Sequence, residues 1–280
     1  MEIKKYEGYL LAKSTIHHGG DEKTGSTPTL RTIYMFTGDG EGVPIPYING
    51  NSIRGKLRRL LMKEFFDLLE IKTEDLSPKL YHTFFTGGVL ESTEDTYAII
   101  DLALRKGIRE LLIPISLMGC AIGNQIMQGK LKVGHAFPVC REYKEYLPTQ
   151  LKQDKRCEMT VRSFTDESFR TRKDDLRTER AEDEQAMQMK VDYECFIPGT
   201  KFYHWFMLEC PNKLDEACFG RFMEIFKSAP FIGGMSSIGN GEVEFEYQPE
   251  LSKSQPYLAF LLTKKDEIRT LIERIGEGIK

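Results

Sequence analysis

The chain has 280 residues, 40% hydrophobic and 29% charged, which is enough apolar content to bury one large core or two modest ones and excludes a disordered polymer. Its formal net charge of -3 excludes a wholesale polyanion sponge, so any nucleic-acid site has to be a local basic patch. The six cysteines, at 120, 140, 157, 195, 210 and 218, form no Cys-x-x-Cys pair, which fits free thiols in a reducing compartment and excludes a zinc ribbon.

Residues 3–14 alternate loosely through Tyr6, Tyr9, Leu10 and Leu11 and predict a strand entering the core. The stretch STIHHGGDEKTGSTPT that follows reads as a polar loop, and 31–36, with Ile33, Tyr34, Met35 and Phe36, as a second strand. TGDGEG turns the chain into a short strand over 43–48. Next, PYINGNSIRGKLRRLLMKEF predicts a helix, because Ile53, Leu57, Leu60, Leu61 and Phe65 recur at helical spacing. Ser52 is a suitable N-cap. Lys56, Arg59 and Lys63 fall on one flank of the apolar stripe, and Arg54 and Arg58 near its other edge.

Residues 74–113 read as helical and mixed segments broken by FFTGGVLES, whose paired glycines allow close backbone approach. In 114–140 a small, apolar first half predicts a tightly packed helix, and 130–139 alternates like a strand. From 141 to 190 the chain is dense in charges of nearly balanced sign and poor in aliphatics. That segment is expected outside the core, as an unstructured insertion or a projecting arm. Residues 191–210 read as two strands around Pro198-Gly199, and a helix is expected over 214–227. FIGGMSSIGNGEVEFEY is a second glycine-rich loop leading into an alternating strand. Ile268, Leu271, Ile272 and Ile275 mark an amphipathic helix over 264–279. No internal repeat is visible. Residues 1–14 lack the apolar core and cleavage site of a leader, and no run reaches the roughly 18 apolar residues of a membrane span, so the expected location is the cytoplasm, with no membrane partner.

A helix start after a Gly, Asn, Ser loop offers backbone N–H groups and partial positive charge to a phosphate, and Arg54 and Arg58 would add charged donors. The same residues also suit an ordinary capped surface helix, and no Walker loop is present. His17 and His18 have the chemistry of a general acid and base, or of hydrogen bonding within a turn; a metal site with Asp21 lacks a recognisable spacing. In the polar arm Arg162, Arg170, Arg172 and Lys173 lie close to Phe164 and Phe169, a mixture that suits single-stranded nucleic acid.

Three separated stretches, IPYINGNSIRGKLRRLL, LMGCAIGNQIMQGKLKV and FIGGMSSIGNGEVEFE, resemble in that order the motifs of the RAMP superfamily. The resemblance is in particular to the backbone subunit that polymerises along the guide RNA of type III-like or type IV-like CRISPR effector complexes, and it runs from about residue 3 to 247. It implies an α+β fold: a modified RRM-like (ferredoxin-like) palm over 1–140 and 191–280, with a thumb hairpin inserted at 141–190. The anion at the helix start would then be the phosphate backbone of crRNA, gripped by Asn51, Ser52, Arg54 and Arg58. Ser236, Ser237 and Asn240 would approach the same strand, with His18 beside them and Arg162 and Arg170 on the thumb. The implied partners are crRNA, a complementary target nucleic acid, copies of the chain itself in a helical filament, and other effector subunits. Catalytic residues, metal and cofactor are not expected. The competing reading is a metal-dependent target-RNA endonuclease of a type III-like complex. Such relatives carry a cleaving aspartate where this chain has Pro28 or Thr29, and Asp21 and Asp39 stand off that place. A guide-processing nuclease using His17 or His18 would share the fold but lack the arm.

Overall fold

The computed structural model describes residues 2–24, 27–37, 40–88, 101–122, 125–173 and 188–278. The first strand, β1 (Ile3–Ala12), is followed by two hairpins, β2 (Gly19–Thr24) with β3 (Thr27–Leu30) and β4 (Thr32–Phe36) with β5 (Gly42–Pro46), and then by α1 (Gly50–Leu68). Helices α2 (Pro78–Phe85), α3 (Leu102–Leu111) and α4 (Ile113–Met118) precede a small hairpin, β6 (Cys120–Ile122) with β7 (Gln125–Met127), and the short strands β8 (Leu131–Val133) and β9 (Phe137–Pro138). After α5 (Thr149–Lys152) and short 3-10 turns comes a long hairpin, β10 (Thr165–Lys173) with β11 (Gln188–Phe196). The chain ends with β12 (Lys201–Glu209), α6 (Lys213–Ser228), β13 (Val243–Gln248), α7 (Gln255–Thr263) and α8 (Lys265–Gly278).

The central sheet has the order β13-β1-β12-β8, antiparallel throughout, with β9 pairing the start of β12. With the helices between its strands, β1-α1-β8-β12-α6-β13 is a β-α-β-β-α-β unit, so the α+β, ferredoxin-like palm is what the chain folds into. Period-2 alternation on β1 and β12 sends Tyr6, Leu10, Phe202 and Phe206 to one face, where they meet the buried stripe Ile53, Leu57, Leu61 and Phe65 of α1 and Phe219 and Phe222 of α6. Tyr6 and Phe206 lie across from each other in the register, and both rings pack on Phe219, with centroids 5.0 and 5.3 Å away.

Several expectations are corrected. The stretch read as a polar loop contains the hairpin β2–β3, whose end is fastened when Leu30 N donates to the Glu194 carboxylate on β11 at 2.7 Å. The segment 141–164 is not outside the core: Tyr143, Leu147, Cys157, Val161 and Phe164 are buried with Ile45, Tyr47 and Phe137 in a second cluster. Their irregular spacing, set by short turns, leaves no period to read. The paired extension therefore begins at Thr165. Two strands do flank Pro198-Gly199 as expected, β11 pairing with β10 and β12 with β1. The expected strand over 130–139 divides into β8 and β9, and α7 precedes the expected C-terminal helix. All six cysteines are free. Among the described residues, no helix is long and apolar enough to cross a membrane.

Candidate nucleic-acid interface

The start of α1 is capped by Asn49, one turn ahead of the expected Ser52: its side chain accepts from Asn51 N at 2.8 Å. Gly50 follows because a Cβ there would lie 2.4 Å from Gly134 O. That close approach brings two imidazoles onto the helix end. Asn49 N donates to His18 Nε2 at 3.1 Å and Gly50 N to His135 Nδ1 at 3.0 Å, while Ser52 N and Ile53 N turn back to Asn49 O. Every backbone N–H from Asn49 to Ile53 thus has an acceptor inside the protein, which corrects the expectation of open donors at this terminus. An imidazole nitrogen that accepts must be unprotonated. In keeping with this, burial, with Arg31 and His17 nearby, pushes His18 down to about 4, and burial lowers His135.

The arginines of α1 are also engaged. Arg58 is buried; its Nε donates to Phe84 O at 2.7 Å and its Nη2 to Gly119 O, while Arg54 Nη2 donates to Met118 O. From α3, Arg109 reaches Ser116 O at 2.8 Å and Arg105 reaches Ile126 O at 2.7 Å. Four guanidinium groups therefore hold the carbonyl-rich turn around α4, β6 and β7. Burial is the main cause lowering Arg54 and Arg58, the latter to about 10. Arg58 is a structural staple first, although it also borders an open cleft.

That cleft, of about 910 Å³, lies between α1, the Thr86–Gly88 turn and the β6–β7 hairpin. Among the described residues its walls carry Arg54, Arg58 and Arg59, five glycines, and no Asp or Glu. The paired glycines of FFTGGVLES shape it: Ala121 N donates to Gly87 O at 2.7 Å, and at Gly88, with φ of +79°, a Cβ would fall 2.1 Å from Ala121 O. The described lining is one of exposed backbone and positive charge, which attracts a phosphate without reading a base.

The second glycine-rich loop packs along residues 15–18. Gly234 N donates to His17 O and Gly241 N to Thr15 O, each at 2.8 Å. At Gly233, with φ of +76°, a Cβ would meet His17 O at 2.6 Å. Asn240 is buried, its Oδ1 accepting from Thr15 Oγ1 at 2.8 Å and its Nδ2 donating to Tyr193 Oη at 3.1 Å, so it ties the loop to β11. Ser236 and Ser237 stay exposed on a 3-10 turn.

The RAMP superfamily model matches residues 29–244, about three quarters of the chain. The chain belongs to the RAMP superfamily. It is similar, with a TM-score of 0.64 and 21% identity over 90% of this chain and 96% of the other, to a chain of a solved structure described as "Type IV-B CRISPR Complex", a likeness of fold. No curated protein matches it. The RAMP match runs from β3 into β13 and so contains α1, the cleft, the β10–β11 hairpin and the second glycine-rich loop.

In this RAMP protein residues 15–18 link two of the predicted segments: His18 accepts from Asn49 at the helix start that carries Asn51 and Ser52, while Thr15 and His17 bond Asn240, Gly241 and Gly234 of the loop that carries Ser236 and Ser237. Arg162, exposed where the long hairpin leaves the second cluster, and Arg170, on β10, do not join them. On that hairpin Phe169 is exposed beneath Lys190 Nζ, 4.8 Å from its ring, whereas the side chains of Arg172 and Lys173 lie outside the described residues. His17 donates from Nδ1 to Glu194 O at 2.7 Å, and His18 is spent as a cap, so the two form no acid–base pair. Asp39 and the side chain of Asp21 lie outside the described residues, among which no three His, Cys, Asp or Glu stand close enough to hold a metal. Sequence reasoning missed His135 as the second imidazole cap, since nothing in KVGHAF marks it, and missed Arg59 as a cleft residue, although its flank position was visible.

Proposed function

We propose that this RAMP protein is a non-catalytic backbone subunit of a type IV-like CRISPR effector complex, acting in the cytoplasm, which polymerises along crRNA with other effector subunits and presents it to a complementary nucleic-acid target. The observation that carries this reading is the cleft beside α1, where three arginines and five glycines stand with no carboxylate among the described residues. A subunit that holds any guide sequence needs backbone contacts rather than base-edge contacts, and such a surface supplies them. Arg59, the outward nitrogens of Arg54, Asn51 and Ser52 would contact successive phosphates, and Ser236 and Ser237 would continue the track. Cleavage would require a group to handle the attacking proton or hold a metal; Pro28 has no side-chain donor or acceptor, and Thr29 is uncharged.

The test is co-expression with a CRISPR array, followed by sizing and sequencing of the RNA that copurifies. Guide-derived RNA is expected, bound with an affinity that falls steeply with salt at a log–log slope of about -0.7 per phosphate contacted. Recovery of no RNA overturns the reading. Regular cuts in a labelled complementary RNA with magnesium or manganese would replace it with the endonuclease.

A further inference from the structure

RRM-like domains stack bases on the open face of the sheet, but here the aromatic residues on that face are already engaged. Tyr9 Oη donates to Glu246 at 2.9 Å with Lys201 Nζ 4.2 Å over its ring, Tyr203 Oη donates to Glu7 Oε1, and Lys5 Nζ lies 5.5 Å over Trp205. The hairpin β4–β5 offers the opposite. Tyr34 and Phe36 are 75% and 72% exposed, and their cross-strand partners, Pro44 and Gly42, cover neither ring. As alternate residues on one strand they share a face about 6.6 Å apart, close to twice the 3.4 Å spacing per nucleotide of a stacked strand. One base fits between two such rings.

The hairpin is held rigidly enough to serve. Met35, Val43 and Ile45 pack beneath it on the second cluster, and Tyr146 Oη donates to Phe36 O at 2.9 Å. It also rises from the candidate interface, since Tyr47 N donates to Arg31 O at 3.0 Å just before the Asn49 cap of α1.

We propose that Tyr34 and Phe36 form a stacking clamp for an unpaired nucleobase of the single-stranded RNA held beside α1. The clamp rests on the RNA-binding function proposed above and adds to it a contact with the base, sequence-tolerant because every base has a π face.

The test measures binding of a single-stranded RNA 12-mer, and of the same backbone made wholly abasic, by fluorescence anisotropy. The Tyr34→Ala/Phe36→Ala double variant should melt like the wild type, because both rings are exposed, yet bind the 12-mer about ten- to hundredfold more weakly with an unchanged salt slope. Wild type and double variant should bind the abasic backbone alike. Arg54→Ala/Arg59→Ala should instead reduce the salt slope. If the double variant binds the 12-mer as tightly as the wild type, the clamp is wrong while the proposed function stands; if the wild type binds no RNA, both fall. Loss of self-association in sedimentation without RNA, at unchanged RNA affinity, would make the patch a contact between copies and also overturn the clamp.

Discussion

Arg58→Ala should destabilise the fold rather than selectively weaken RNA binding. The side chain is 7% exposed and supplies hydrogen bonds to Phe84 O and Gly119 O, two carbonyls contributed by segments remote from α1 in sequence. Two charge-assisted bonds at about 1.5–3 kcal/mol each and two buried methylenes at about 0.8 kcal/mol each, less the desolvation the guanidinium no longer suffers, leave a loss of about 3–5 kcal/mol. Urea unfolding at pH 7.5 reads this as a lower midpoint at unchanged slope. Arg58→Lys should recover only part of it, because a single ammonium cannot span both carbonyls in the fixed geometry of a guanidinium. Half-buried Arg54, with its one described bond to Met118 O, should cost less when truncated. An Arg58→Ala protein with the wild-type midpoint and a weakened RNA affinity would refute the argument and make Arg58 a phosphate ligand.

Acid should loosen the protein. Burial pushes His18 down to about 4 and His204 down to about 3, against 6.5 as the unperturbed value, so the unfolded chain binds more protons below pH 6.5. Their contribution is complete above pH 6.5 and is lost as pH falls toward 4 for His18 and toward 3 for His204; urea midpoints from pH 8 to 4.5 should fall, and His18→Gln should flatten the slope. Asn240→Ala removes the tie between Thr15 and Tyr193 and should lower stability by about 1–3 kcal/mol, whereas Ser236→Ala/Ser237→Ala should leave melting unchanged and weaken RNA binding. Deleting 170–191 should leave a folded monomer, because Phe164, Tyr193 and Phe196 remain in place, but one that forms no regular filament on RNA by electron microscopy.

The elements that were legible are those with an unbroken period. The stripe Ile53, Leu57, Leu61 and Phe65 predicted α1, and the alternation in VEFEYQ predicted β13, because each has one face on the core and one in water. The hairpin β2–β3 shows no such pattern, being held by pairing and by the Glu194 carboxylate some 160 residues away, a partner no local window contains. The arginines fail for a related reason. A helical wheel correctly puts Arg54 and Arg58 at the edge of the apolar stripe, but an edge position is equally suited to solvent, to a phosphate or to a neighbouring turn. What decides is whether acceptors face it. Here α2 and the Gly119 turn present carbonyls that would otherwise be left unpaired, and an arginine is the side chain that reaches both. The same arrangement leaves the cleft charged: carbonyls satisfy the donors of Arg58 without cancelling its charge, as a carboxylate would. A structural staple made with backbone oxygens therefore keeps the electrostatic attraction for phosphate that the α1 sequence first suggested, and Arg54 and Arg59 stand at the opening where that attraction is felt.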